Sequence, residues 1–285
     1  MKNLLGGLFI FLSSSLLQHA LQSPSFLSPY LALLSLLLEL LSLYFLPLSI
    51  FFLLGSSHIL AFSLYQKKNK FKDINNKEAV GNSLITIGCL ISIFLCSEQQ
   101  TFNDPDELNQ TINPLYFTWM GISFLLNAGM RSCGFYAGKV LIETSIPSQL
   151  ISFSFLAAKY LWLCFDLFIQ DEHVNYRIII GSVIVLIVSM LIALSFIKYF
   201  LWIYSEILVC TGYYLWLLCY GFPLGISLLH CGYELTQKDC LALLLATIFI
   251  TLGCYLHTYS VPEKENLQTQ DIKDDDEYEE IDTLI

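Results

Sequence analysis

The chain has 285 residues, of which 55% are hydrophobic and 13% charged, against about 25% charged in an ordinary globular domain. Apolar runs recur along nearly its whole length, which excludes a soluble globular domain and points to an all-α polytopic transmembrane helical bundle. The net charge of −10 is concentrated in ten Asp or Glu against two Lys from Glu263 to Ile285, which leaves −2 for the rest and no basic surface for nucleic acid.

Asn3 to Leu21 reads as a first span. Were it a cleaved signal, with the hairpin that follows retained, the lysine-rich loop further on would be forced outside. Pro29 to Tyr65 is 37 residues long, about 55 Å as one helix against a hydrocarbon core of about 30 Å. Pro47 lies at its midpoint. Proline lacks the amide a helix needs and clashes with the turn before it, so two short spans, 29–46 and 47–65, are expected to form a hairpin.

The loop QKKNKFKDINNKEAV carries Lys67, Lys68, Lys70, Lys72 and Lys77, and the positive-inside rule places it in the cytoplasm, within reach of anionic headgroups. Asn82 to Cys96 crosses to an acidic loop free of Lys and Arg, where Asn109-Gln110-Thr111 forms an N-glycosylation acceptor pattern. Leu115 to Met130 returns to Arg131. Lys139 and Glu143, four apart, then suggest a short helix lying at the interface.

Ser148 to Gln170 crosses outward and Ile178 to Ile197 crosses back, with Gly181, Ser182, Ser189 and Ala193 as close-packing positions. Tyr199 to His230 is too long for one straight span and is interrupted by Gly212 and by Gly221-Phe222-Pro223-Leu224-Gly225. It reads as a kinked span, or as a broken helix that lines a cavity. Cys231 and Cys240 close the next loop as a candidate disulfide, and Asp239 to His257 is the last span.

Nine spans result, with the C-terminus in the cytoplasm of an endomembrane or plasma-membrane protein; eight follow if 29–65 crosses only once. Ten of the fourteen Lys and Arg then fall inside and three outside, with Lys159 within the membrane. Residues 1–258 form one membrane domain and 259–285 an acidic tail. Nine scattered cysteines without a Cys-x-x-Cys, and five His without ligand spacing, give no metal site and imply no cofactor.

The intramembrane charges are the candidate functional residues: Lys159, Asp166, Glu39 and Glu206, with Asn127 and His58 as uncharged companions. Lys159 and Asp166 are seven apart and share a helix face. A charge near the bilayer centre costs about 2.5–3.5 kcal/mol on insertion scales, so it is kept where it meets a partner or a wet cavity. Three roles fit these residues: a buried Lys–carboxylate pair that fixes register, snorkelling to the headgroups, or a path for a small solute or ion. No catalytic constellation emerges.

The run WIYSEILVCTGYY followed by YGFPLGIS resembles membrane-bound 3-hydroxyacyl-CoA dehydratases, in which a Tyr and a Glu act beside a Tyr-Pro-(Ile/Leu)-Gly stretch. The Arg-Tyr expected after the Glu is Val209-Cys210 here, so the activity is not carried over. In size, span number and Asn/Lys/Ile/Phe-rich composition the chain resembles the small multi-spanning membrane proteins of roseolovirus-type betaherpesviruses. That resemblance implies an accessory role in a host membrane, with other membrane proteins as partners besides the lipid bilayer.

The tail, VPEKENLQTQDIKDDDEYEEIDTLI, has no apolar periodicity and follows the last span at Pro262, so it is expected to be disordered. Tyr278 to Ile281 resembles a tyrosine sorting signal, and Glu280 with Leu284 and Ile285 an acidic dileucine signal. Both imply sorting adaptors that bind the tail as an added strand; the alternative is an acidic end that only solubilises.

Overall fold

The computed structural model describes residues 2–22, 28–70, 75–95, 118, 121–125, 127–129, 139–170, 176–204, 206–229 and 236–258. Among them the fold is all-helical, as a bilayer demands, because a helix satisfies every backbone polar group within its own segment. The helices are α1 (Lys2–Gln22), α2 (Ser28–Phe45), α3 (Leu48–Gly55), α4 (Ser57–Lys70), α5 (Asn76–Leu95), α6 (Lys139–Ile169), α7 (Tyr176–Ile203), α8 (Glu206–Leu229) and α9 (Gln237–Thr258). The segments Asn76–Leu95, Ile142–Ile169, Ile179–Ile203, Leu208–Gly225 and Gln237–His257 are each long and apolar enough to cross a membrane. Lys2–Leu17, Tyr30–Phe45 and Leu48–Leu64 are shorter apolar helices packed among them.

Pro47 divides its segment as its chemistry requires, with α2 ending at Phe45 and α3 beginning at Leu48. The chain also folds back there. Glu39 and His58 are 19 residues apart, about 28 Å along a straight helix, yet their side chains meet at 2.9 Å. Ser56 keeps right-handed helical dihedrals at the end of α3, so α4 continues α3 with only a local irregularity.

α3 is the centre of the bundle: all of its residues are buried, and α8 packs along it while α5, α9, α6, α1 and α2 close the remaining sides. The approach of α8 depends on Gly221 and Gly225, one turn apart. A Cβ at Gly221 would sit 2.5 Å from the Phe52 ring, and one at Gly225 would sit 2.5 Å from the Ser49 Cα. What reads in the sequence as an interruption is the contact surface of an unbroken helix, since α8 runs through Gly212, Gly221 and Pro223 alike. The break falls earlier, at Tyr204, after α7 has continued past Lys198.

The expected interfacial helix around Lys139 and Glu143 is corrected as well. α6 is continuous from Lys139 to Ile169 with Pro147 inside it, about 46 Å at 1.5 Å per residue and therefore longer than the hydrocarbon core. Its first turns are held inside the bundle: Thr144, Ser145, Pro147 and Ser148 are buried, and the Thr144, Ser145 and Ser148 hydroxyls donate to carbonyls of the preceding turn.

Two further pairings bring glycine and serine faces together. α5 lies on α9 with Gly81 against Gly253. α6 lies on α7, where Ser154 and Ser189 join their hydroxyls at 2.7 Å and Ala193 is fully buried. Gly181, by contrast, opens onto empty space, and Ile180, Ile184, Ile187, Val188 and Leu191 line the outward face of α7.

Candidate functional site

α6 delivers Lys159 to the break at Pro47. The side chain is 1% exposed, and its ammonium donates to the carbonyl oxygens of Leu43 at 2.6 Å and Leu46 at 2.8 Å. In an uninterrupted helix the Leu43 carbonyl would accept from the amide of residue 47, which proline lacks. The Leu46 carbonyl is likewise freed by the change of direction. A cation at a helix C-terminus also meets the negative end of the helix dipole.

Trp162, three residues along, donates its indole N–H to the Leu40 carbonyl at 2.8 Å. Tyr44 lies close to Asp166. The shared face expected of Lys159 and Asp166 is therefore realised, and it is laid on the last turns of α2. Glu39 is engaged by other partners.

Glu39 and His58 face each other across the fold-back. His58 Nε2 lies 2.9 Å from Glu39 Oε1, and Ser13 Oγ donates to the same oxygen at 3.0 Å. Ser13 and Ser35 hydroxyls are 3.0 Å apart, and Ser35 Oγ also donates to the Ser13 carbonyl. The His58 ring stacks on Tyr214 with centroids 5.2 Å apart, and it is 4% exposed. Its Nδ1 is buried without a hydrogen-bond partner among the described residues. A carboxylate and an imidazole at this distance can share one proton, and an unengaged ring nitrogen gives that proton a second place to arrive or leave.

A second polar chain crosses α4, α5 and α9. Ser63 Oγ donates to Glu78 Oε1 at 2.7 Å, Asn82 Nδ2 donates to Ser63 Oγ at 2.9 Å, and Asn82 Oδ1 lies 2.8 Å from His257 Nε2. Because the Asn82 oxygen can only accept, His257 Nε2 must carry the hydrogen. The amide in the middle interrupts proton transfer, so this chain ties three helix ends together instead of conducting.

Asn127 does the same work elsewhere, accepting from Tyr220 at 2.8 Å and donating to Gln149 at 3.0 Å. A cavity of about 470 Å³ between α1, α4 and α5 has a predominantly apolar wall, including Gly7, Phe11, Leu54, Leu60 and Ile93.

Glu206 opens α8. Cys240 is an exposed free thiol in the first turn of α9, while Cys231 lies outside the described residues. Asn109, Tyr278, Glu280, Ile281, Leu284 and Ile285 lie outside them too.

Sequence reasoning missed the serines that build the Glu39 pocket and the network beyond it. A signal was present: Ser35, Ser42, Ser49, Ser56 and Ser63 recur every seven residues through an otherwise apolar stretch, and all are buried. No protein-family model, no curated protein and no solved structure matches this chain.

Proposed function

We propose that this multi-pass membrane protein provides a pathway for protons or a small ion, and that the Glu39–His58 pair is the group the pathway passes through. The observation that carries the reading is Glu39 Oε1, held between His58 Nε2 at 2.9 Å and Ser13 Oγ at 3.0 Å, beside a ring nitrogen with no hydrogen-bond partner among the described residues. Burial of such a pair costs more than burial of an apolar one, and a pair kept for helix register alone has no use for an open nitrogen. Lys159 and Asp166 are assigned to holding the Pro47 turn. The accompanying topology is nine crossings with residues 66–80 and the C-terminus in the cytoplasm.

Reconstitution in liposomes with a pH-sensitive dye tests the proposal. Wild-type protein carries proton flux under an imposed gradient, and Glu39→Gln, nearly the same in shape, lowers it at least about tenfold at equal folded protein. A wild-type protein that passes neither protons nor alkali cations sinks the reading.

The alternative is a non-transporting accessory protein that binds other membrane proteins through its spans, including a viral modulator of host membrane proteins. The outward apolar face of α7 favours it. Recovery of a specific membrane partner that is lost when Ile184 and Leu191 are both replaced by Ala, together with absent flux, would select it.

A further inference from the structure

Three observations bring the root of the acidic tail beside a cluster of lysines. His257, next to the last residue of α9, lies 2.8 Å from Asn82 near the start of α5. Gly253 and Gly81 pack with the Gly253 Cβ position 2.7 Å from the Gly81 carbonyl oxygen. Ser63 on α4 bonds both Glu78 and Asn82.

The end of α9 at Thr258, the start of α5 at Asn76 and the last turns of α4 therefore share one end of the bundle. Packed helix axes lie about 8–10 Å apart. That end bears Lys67, Lys68 and Lys70 in the closing turns of α4 and Lys77, exposed, in the first turn of α5. The chain that leaves it, residues 259–285, carries ten acids and two lysines.

We propose that the acidic tail docks on the lysine-bearing end of α4 and α5, within the same molecule. Twelve residues separate Thr258 from Asp271, and a chain of that length has a random-coil reach of about 20 Å, which spans the neighbouring helix ends with slack. Single ion pairs at such a surface are weak. Tethering raises the local concentration of the tail to about the millimolar range, so many weak pairs formed together hold it. The charge match selects this occupant: the tail supplies the acidic run Asp274 to Glu280, and the lysines stand at the helix ends beside which α9 finishes. Docking keeps the lysines from anionic headgroups and holds the tail close to the bundle. The inference is independent of the proton pathway and of which side of the membrane this end faces.

Zero-length carbodiimide coupling on the full chain tests it, in nanodiscs of zwitterionic lipid, with equal parts of isotopically heavy and light protein and peptide mapping of the products. Coupling of tail carboxylates to Lys67, Lys68, Lys70 and Lys77 within one isotope is expected. It should exceed coupling to Lys198, on α7, at least about threefold, and should fall about as much when the salt is raised from 0.05 to 0.5 M. Coupling that is absent, that is equal at Lys198 or that joins heavy to light chains overturns the proposal; the last result assigns the contact to a second copy. Loss of coupling at low salt in discs containing phosphatidylserine also overturns it, and gives the lysines to lipid.

Discussion

Lys159 supplies the donor that Pro47 lacks: its ammonium lies 2.6 Å from the Leu43 carbonyl oxygen, the acceptor that an amide at position 47 would have engaged. The relationship is testable as a coupling. Lys159→Met leaves two buried carbonyls without donors, at about 1–3 kcal/mol each, and should lower the thermal midpoint in detergent markedly. Pro47→Ala restores one amide. In a double-mutant cycle it should therefore be less harmful, or even favourable, when Lys159 is already Met. Additive effects would refute the link.

Gly225 and the Ser49 backbone make the tightest approach between α8 and α3. Gly225→Ala drives a methyl group into main chain that cannot rotate away, and overpacking of this kind costs about 1–3 kcal/mol. The expected result is a lower thermal midpoint and a smaller yield of monodisperse protein. Gly181→Ala, where a Cβ meets nothing within 4 Å, should leave both unchanged. Equal behaviour of the two variants would count against the helix contact.

Tyr204, at the break between α7 and α8, donates to Glu143 Oε2 at 2.8 Å and so ties the start of α8 to the start of α6. Tyr204→Phe should cost about 1 kcal/mol. Burial first, and the Glu143 carboxylate next, raise the Tyr204 phenol above its ordinary range. A raised folded value means that its contribution is whole below about pH 10, the unfolded value, and is lost as pH climbs beyond it. The Phe variant should therefore lose less of its thermal midpoint than wild type between about pH 9 and 11.

The orientation is checked by single cysteines introduced at Lys70 and Thr269, in a chain whose nine native cysteines have been replaced. Impermeant maleimide should label neither site on intact cells and both after permeabilisation. Labelling from outside would reverse the topology.

How much of this the sequence disclosed depends on how local the physics is. Proline removes an amide wherever it stands, so the division of the chain at Pro47 was legible. The seven-residue spacing of Lys159 and Asp166 likewise decides their common face. Their partners were not legible, because the Leu43 and Leu46 carbonyls become acceptors only once α6 crosses the turn.

Gly221 and Gly225 were visible as exceptions, but a glycine that breaks a helix and one that admits a neighbour look alike until the neighbour is placed. The short interfacial helix expected around Lys139 and Glu143 is the start of a helix that passes through Pro147, and the break at Tyr204 carries neither glycine nor proline to announce it. The meeting of Glu39 with His58 required the fold-back itself.

The enclosure of α3 has a consequence in time. Ser49 and Gly225, which touch in the finished bundle, are 176 positions apart, and at about 5–20 residues per second a ribosome needs roughly 9–35 s to make the second after the first. Over that interval a helix whose every residue is buried in the finished bundle has its eventual partner unmade, and for the first 110 residues of it the lysine that seals its turn is still to come. Insertion and assembly are thus separate events in the life of each molecule, and the waiting hairpin is the species on which a membrane chaperone or a quality-control protease would act.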